Sequence, residues 1–124
     1  MQLTNRRLGN TVVLAASGRI DHASAEGFKA ALQPYLENCR AGGDVVILDF
    51  SAVEYISSVG LRVLMLAAKQ TRAVHGALAV AALQPVVREI FDISRFTLVL
   101  MCYPDVREAL SALAPGALAS YGAA

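Results

Sequence analysis

Cysteine and histidine are scarce in this sequence. Its 124 residues hold two of each: Cys39 and Cys102, His22 and His75. The cysteines lie too far apart in the chain to make a metal or redox motif. They read as reduced thiols in a bacterial-type cytoplasm, since one pair is thin evidence for a secreted disulfide scaffold. Each histidine stands without a carboxylate or nucleophile at a recognisable spacing, so neither a catalytic triad nor a metal cluster is expected. No glycine loop is built to cradle phosphate, and Gly42-Gly43 reads as a linker. An enzyme is therefore not expected, nor a cofactor or a bound metal.

Charge of one sign is also lacking. The formal net charge is +1, and Arg and Lys are scattered without interleaved aromatics, so no bulk attraction to nucleic acid or acidic lipid is expected. No apolar run approaches the roughly 18 residues of a membrane helix. The longest are Val63–Ala68 and Ala77–Leu83. The first residues, Met1 to Arg7, carry no apolar signal core, and a cytoplasmic location is expected.

What is present is a globular composition, 56% hydrophobic, in a length that suits one domain with a real core. Gly9-Asn10 reads as a hairpin turn between strands Leu3–Arg7 and Thr11–Ser17. The run Thr11–Ala16 is almost continuously apolar, as in a strand covered on both faces. Residues 18–23 read as a loop, with Ser24 as an N-cap and Glu26 in the first helical turn. The helix should reach Asn38 or Cys39, its apolar face formed by Phe28, Ala31, Leu32, Tyr35 and Leu36. Ala41–Asp44 is a break, and Val45–Phe50 a core strand. A second helix should run from Ser58 to about His75 and end at Gly76. Ala77–Ala82 follows as a strand. A third helix, Pro85–Ile93, should turn Val86, Val87, Ile90 and Phe91 inward. Thr97–Tyr103 is the last predicted strand, and Pro104-Asp105 open a final helix through Leu113. Ala114–Ala124 is expected as a loose tail. The order β-β-α-β-α-β-α-β-α predicts an α/β fold, a mixed, mostly parallel sheet with about four helices packed on it.

The segment from Asp49 to Arg62 carries the most information. A strand runs through a short connection into Ser57 and Ser58, which open the second helix. There a helix presents unpaired N–H groups and the positive end of its dipole, a position that accepts an added phosphate. Counting on from Ser58 by four and three gives Arg62, Met65, Lys69 and Arg72 on one face. Val59, Leu61, Val63, Leu64, Leu66, Ala67 and Ala68 should form the buried side. The cationic face is open to two readings: a solvated stripe, or a docking face with an adaptable methionine whose top residue can be modified.

These residues resemble the bacterial anti-sigma factor antagonists, the single-domain STAS proteins. Four stretches carry the resemblance, in order. They are Gly18-Arg19-Ile20-Asp21 with Ala25-Glu26, Val46–Phe50, Tyr55–Leu61, and Pro85–Ser94. Together they span about residues 3 to 113, which sets an expected domain of residues 1–113. The resemblance implies a protein that captures an anti-sigma factor of the GHKL serine-kinase type. Phosphorylation of a serine at the start of the second helix breaks the complex, and a serine phosphatase restores it. Laid on this sequence, the acceptor is Ser58 and the family glycine is Gly60. The family aspartate before the acceptor is replaced by Ser57, a neighbouring hydroxyl and minor alternative acceptor. The next position, usually a small hydroxyl residue, is Val59, expected to pack.

The resemblance further implies partner contacts at Asp21 and His22. Together with the docking face of the second helix, contacts are expected at Asp21, His22, Ser24, Ser57, Ser58, Gly60, Arg62, Met65 and Lys69, and a monomer when free. For Asp21 and His22, a plain turn leading into the first helix stands as an equal reading. A passive STAS module is the alternative for the whole chain: a subunit of a lipid-transport ATPase complex, or a signalling scaffold, binding without phosphoryl transfer.

Overall fold

Apolar residues of both parities fill the central strands, and helices cover both faces of the sheet they form. A computed structural model of the chain describes residues 1–122. Strands β1 (Gln2–Leu8) and β2 (Thr11–Ile20) form an antiparallel hairpin whose turn holds Gly9 at φ 66°. Helix α1 (Ala25–Glu37) leads to β3 (Val45–Ile56), α2 (Ser58–Ala73) to β4 (Ala77–Ala81), and α3 (Pro85–Ile93) to β5 (Met101–Tyr103). The five strands lie in the order β1-β2-β3-β4-β5, and every pair after the first is parallel. This is the mixed, mostly parallel sheet that the alternation predicts.

The sheet has two unequal sides. Val12, Leu14, Val46, Leu48 and Val80 point to the larger core, where Phe28 of α1, Leu64 of α2 and Phe91 of α3 are buried against them. Burying a side chain of this size stabilises by about 1.5–3 kcal/mol. The intervening residues Val13 and Ile47 point to the other side, onto Val106, Ala109 and Leu110 of helix α4 (Val106–Leu113). Asp105 caps α4 by accepting from the Glu108 N–H at 2.8 Å.

Several expectations need correction. Residues 18–20 are not loop, and Ser51–Ile56 is not a connection. Both are strand, because β2 and β3 continue side by side: Gly18 pairs with Val53, Arg19 with Tyr55 and Ile20 with Ile56, after register shifts at Ala15/Ser17 and Gly18/Arg19. The final strand begins at Met101, not Thr97, since Phe96–Leu98 form a 3-10 turn that packs Phe96 edge-on against Phe91 at 5.1 Å. Ala31 and Val86 are exposed, outside the apolar contacts assigned to them. His75, not Gly76, takes the left-handed conformation that closes α2, at φ 58°. Gly76 is required for space, because a Cβ there would collide with the Cys39 carbonyl.

Where the tail was expected, Pro115–Ala117 form a 3-10 turn and Leu118–Gly122 a fifth helix, α5. Arg6 donates to the Ser120 and Tyr121 carbonyls, both at 3.2 Å, and lies over the Tyr121 ring. Ala123 and Ala124 fall outside the described residues. None of the described helices is long and apolar enough to cross a membrane.

Candidate functional site

Helix α2 begins where β2 and β3 end together. The Ser57 N–H donates to the Ile20 carbonyl at 2.8 Å, so the start of the helix is fastened to the sheet. Gly60 makes this approach feasible. A Cβ there would meet Ile20 Cγ2 and Ile56 Cγ1 at 2.8 Å and the Ile20 carbonyl at 3.0 Å. Glycine is needed here for contact distance, and its φ is ordinary.

The two serines occupy different positions. Ser57 is the N-cap, with extended backbone, and its hydroxyl accepts from the Gly60 N–H at 3.2 Å. It is half-buried. Ser58 is the first helical residue and is exposed. A first-turn residue has no carbonyl four positions back to bond, so its N–H remains open. The Ser58 hydroxyl also makes no hydrogen bond within the described residues, while the dipole of a sixteen-residue helix favours negative charge beside it.

The loop before α1 is organised around Asp21 rather than Ser24. Asp21 Oδ1 accepts from the N–H groups of Ala23 at 3.1 Å and Ser24 at 3.2 Å. Ser24 sits at the N-cap position of α1 but makes no side-chain cap bond. It has helical backbone angles, and its hydroxyl donates instead to the Arg19 carbonyl at 2.8 Å and accepts from the Asp21 N–H at 3.0 Å. The Ser24 N–H is the main cause that holds the Asp21 carboxyl below its ordinary range, helped by the Ser24 hydroxyl, the Ala23 N–H and Arg19, and opposed by desolvation. His22 is exposed in this turn.

Sequence reasoning missed a contact beside the site. The Arg19 guanidinium lies over the Tyr55 ring, 4.5 Å from its centroid, and 3.8 Å from Asp21. The signal was the β2–β3 register that pairs Arg19 with Tyr55, and it was hidden because Ser51-Ala52 interrupt the apolar pattern.

The remaining residues singled out on α2 differ in exposure and in distance from Ser58. Arg62 is exposed one turn below it. Met65 is half-buried and packs on the core, a correction to the exposed contact expected of it. Lys69 is exposed but eleven residues on, about 16 Å along the axis. Arg72 donates to the Val99 carbonyl at 2.8 Å. Val59 and Leu66, expected to be buried, are 38% and 40% exposed. They fall on the outer stripe with Arg62, because the helix presses on the sheet through Gly60, Leu64, Ala67, Ala68 and Thr71.

Both cysteines are free, and burial raises both thiols above their ordinary range. The described residues contain no group of three potential metal ligands.

The STAS domain family matches this chain over residues 2–109. The chain is 39% identical over 114 residues to "Putative anti-sigma factor antagonist BtrV" of Bordetella bronchiseptica, covering 90% of this chain and 93% of that protein. An anti-sigma factor antagonist from Mycobacterium paratuberculosis has a similar structure, with a TM-score of 0.81 at 23% identity over 90% of this chain and 92% of that one. The Bacillus cell fate determinant SpoIIAA in its phosphorylated form is also similar, with a TM-score of 0.65 at 20% identity over 90% of this chain and 99% of its own. At these identities the two structures bear on fold alone. With the family matched across most of the chain and a near full-length relative, the chain belongs to the STAS domain family, among the anti-sigma factor antagonists.

Proposed function

We propose that this protein is a phosphorylation-switched antagonist of an anti-sigma factor, with Ser58 as the acceptor. It acts as a binding regulator and as a substrate, not as an enzyme. Unphosphorylated, it captures an anti-sigma factor that is itself a GHKL-type serine kinase, in the cytoplasm. The observation that carries the reading is the division of labour between neighbouring serines: Ser57 Oγ holds the Gly60 N–H, while Ser58 Oγ is exposed and without a hydrogen-bond partner among the described residues. The 39% identity to a protein named as an anti-sigma factor antagonist supports the partner class.

In the transfer step, Ser58 Oγ attacks the γ-phosphorus of ATP held by the kinase. The new O–P bond forms as the bond to the bridging oxygen breaks. ADP leaves, and the hydroxyl proton passes to a base of the kinase. A serine phosphatase reverses the state by directing water at the phosphoserine, releasing inorganic phosphate. The added group carries close to two negative charges. The α2 dipole favours them by about 0.3–1 kcal/mol, and Arg62 lies one turn away to pair with them. The domain therefore keeps its fold, while a partner docked over the site must bury an unmatched charge.

Calorimetry with the kinase tests this. Phosphorylated protein, and to a lesser degree Ser58→Asp, should bind at least about tenfold more weakly, roughly 1.4 kcal/mol. The melting temperature should stay level or rise slightly on phosphorylation. Equal affinity in both states would favour the passive module.

A further inference from the structure

The hydroxyl of Ser24 is spent away from its own helix. Ser24 stands at the N-cap position of α1, where a serine ordinarily accepts from an N–H of the first turn. Here its backbone is helical, at φ −102° and ψ −9°, and no such bond forms. The hydroxyl reaches back to the end of β2 instead. It donates to the Arg19 carbonyl at 2.8 Å, with Asp21 Oδ1 as a second acceptor at 3.2 Å, and it accepts from the Asp21 N–H at 3.0 Å. One side chain thus holds both neighbours of Ile20.

Ile20 is the seat of α2. Its carbonyl accepts from the Ser57 N–H at 2.8 Å, one residue before Ser58. The Ile20 C=O and the Asp21 N–H belong to one peptide unit, which is planar and stiff. Ser57 holds one end of that plane and Ser24 Oγ the other. Ile20–Ile56 is the last pair of the β2–β3 ladder, so no further rung fixes the plane. Gly60 rests against the same carbonyl, since a Cβ there would lie 3.0 Å from it. The body of α2 is pinned separately, through Leu64, Ala67 and Ala68 in the core. A turn of the Ile20–Asp21 plane is therefore felt at Ser57 and Ser58 rather than along the whole helix.

We infer that Ser24 is a positioning residue for phosphoryl transfer, fixing the Ile20–Asp21 peptide unit and, through it, the acceptor Ser58. The inference rests on Ser58 as the acceptor and leaves the chemistry as written above: the Oγ–P bond forms, the bond to the bridging oxygen breaks, and the proton goes to the kinase. In-line attack needs Oγ at one place and angle, and a displacement of about 1 Å can cost about a hundredfold in rate. The bonds from Ser24 to Ser57 supply that placement without touching the reacting atoms. Ser24 is half-buried and its proton is already committed, which leaves it little to offer a partner directly.

Two measurements on Ser24→Ala and Ser24→Thr test this, the second variant keeping the hydroxyl. The first uses no kinase. In amide NMR of the full chain, Ser24→Ala should move the Ser57 and Ser58 signals and speed exchange of the Ser57 N–H by at least about tenfold, with Leu64 and Ala67 unmoved. Ser24→Thr should restore both. The second is single-turnover transfer from ATP with the cognate kinase in excess, which separates chemistry from product release. At saturating kinase Ser24→Ala should slow transfer by at least about tenfold, with half-saturation within about twofold of wild type, and Ser24→Thr should recover the rate. Unchanged Ser57 exchange in Ser24→Ala would overturn the inference and leave Ser58 as the acceptor. An unchanged transfer rate would do the same, and if half-saturation alone weakened, Ser24 would be a partner contact. Phosphate on a residue other than Ser58 in wild type would remove the switch reading itself, and this inference with it.

Discussion

The two ends of α2 are built to different purposes. At the C-terminal end several polar groups are tied into the fold. Thr71 is buried and its hydroxyl donates to the Ala67 and Ala68 carbonyls, the Thr71 carbonyl accepts from Gly76, and Arg72 ties the helix to Val99. At the N-terminal end Ser57 and Gly60 complete the cap, and Ser58 is left over, its hydroxyl free and its side chain in solvent. A terminus whose polar groups bond back to the fold holds it. A terminus with one uncommitted hydroxyl, in a field that favours anions, has something to exchange with a partner.

Two glycines set the sharpest contrast. Gly76→Ala should be the most damaging change, since its Cβ would run into the backbone of Cys39, which cannot move without shifting the end of α1. A loss of about 3 kcal/mol is expected, lowering the melting temperature by roughly 10 °C. Gly60→Ala meets the methyl groups of Ile20 and Ile56, which can turn aside, so a loss of about 1–2 kcal/mol is expected. Denaturant melts of both variants would rank them, and a Gly60 variant worse than the Gly76 variant would invert the comparison.

Ser57→Ala should cost about 1 kcal/mol as the loss of a helix cap. A melt unchanged by this substitution would remove the distinction between the two serines. The smallest expected effect comes from Asp21. Its carboxyl lies below the ordinary range in the folded chain, so its ionised form stabilises. That contribution is fully present above the ordinary value of 3.8 and is lost as pH falls through the lowered folded value. The stability gap between wild type and Asp21→Asn should therefore close as pH drops below 3.8. A gap that stayed constant across acid pH would mean that Asp21 acts by shape alone.

Much of this was legible in the sequence. Apolar run lengths and turn residues gave the alternation of strands and helices, and the position of Gly60 in Tyr55–Leu61 marked the close approach at α2. The continuation of β3 through Ser51–Ile56 was not legible, because its pairing with the end of β2 follows two register shifts that leave no mark on composition. The exposure of Val59 and Leu66 was hidden for a related reason. α2 is apolar nearly all round in its first half, so periodicity cannot choose which apolar residues meet the sheet. The use of Ser24 as a brace for the Arg19–Asp21 turn required knowing that Arg19 lies in a strand.

The account turns on Ser58. Incubation with the cognate kinase and ATP, followed by phosphosite mapping by mass spectrometry, tests it most directly on wild type, Ser57→Ala and Ser58→Ala. The account predicts one phosphate on Ser58 in wild type, its retention in Ser57→Ala and its absence from Ser58→Ala. Undiminished phosphorylation of Ser58→Ala, or its loss in Ser57→Ala alone, would contradict it and move the switch off the first residue of α2.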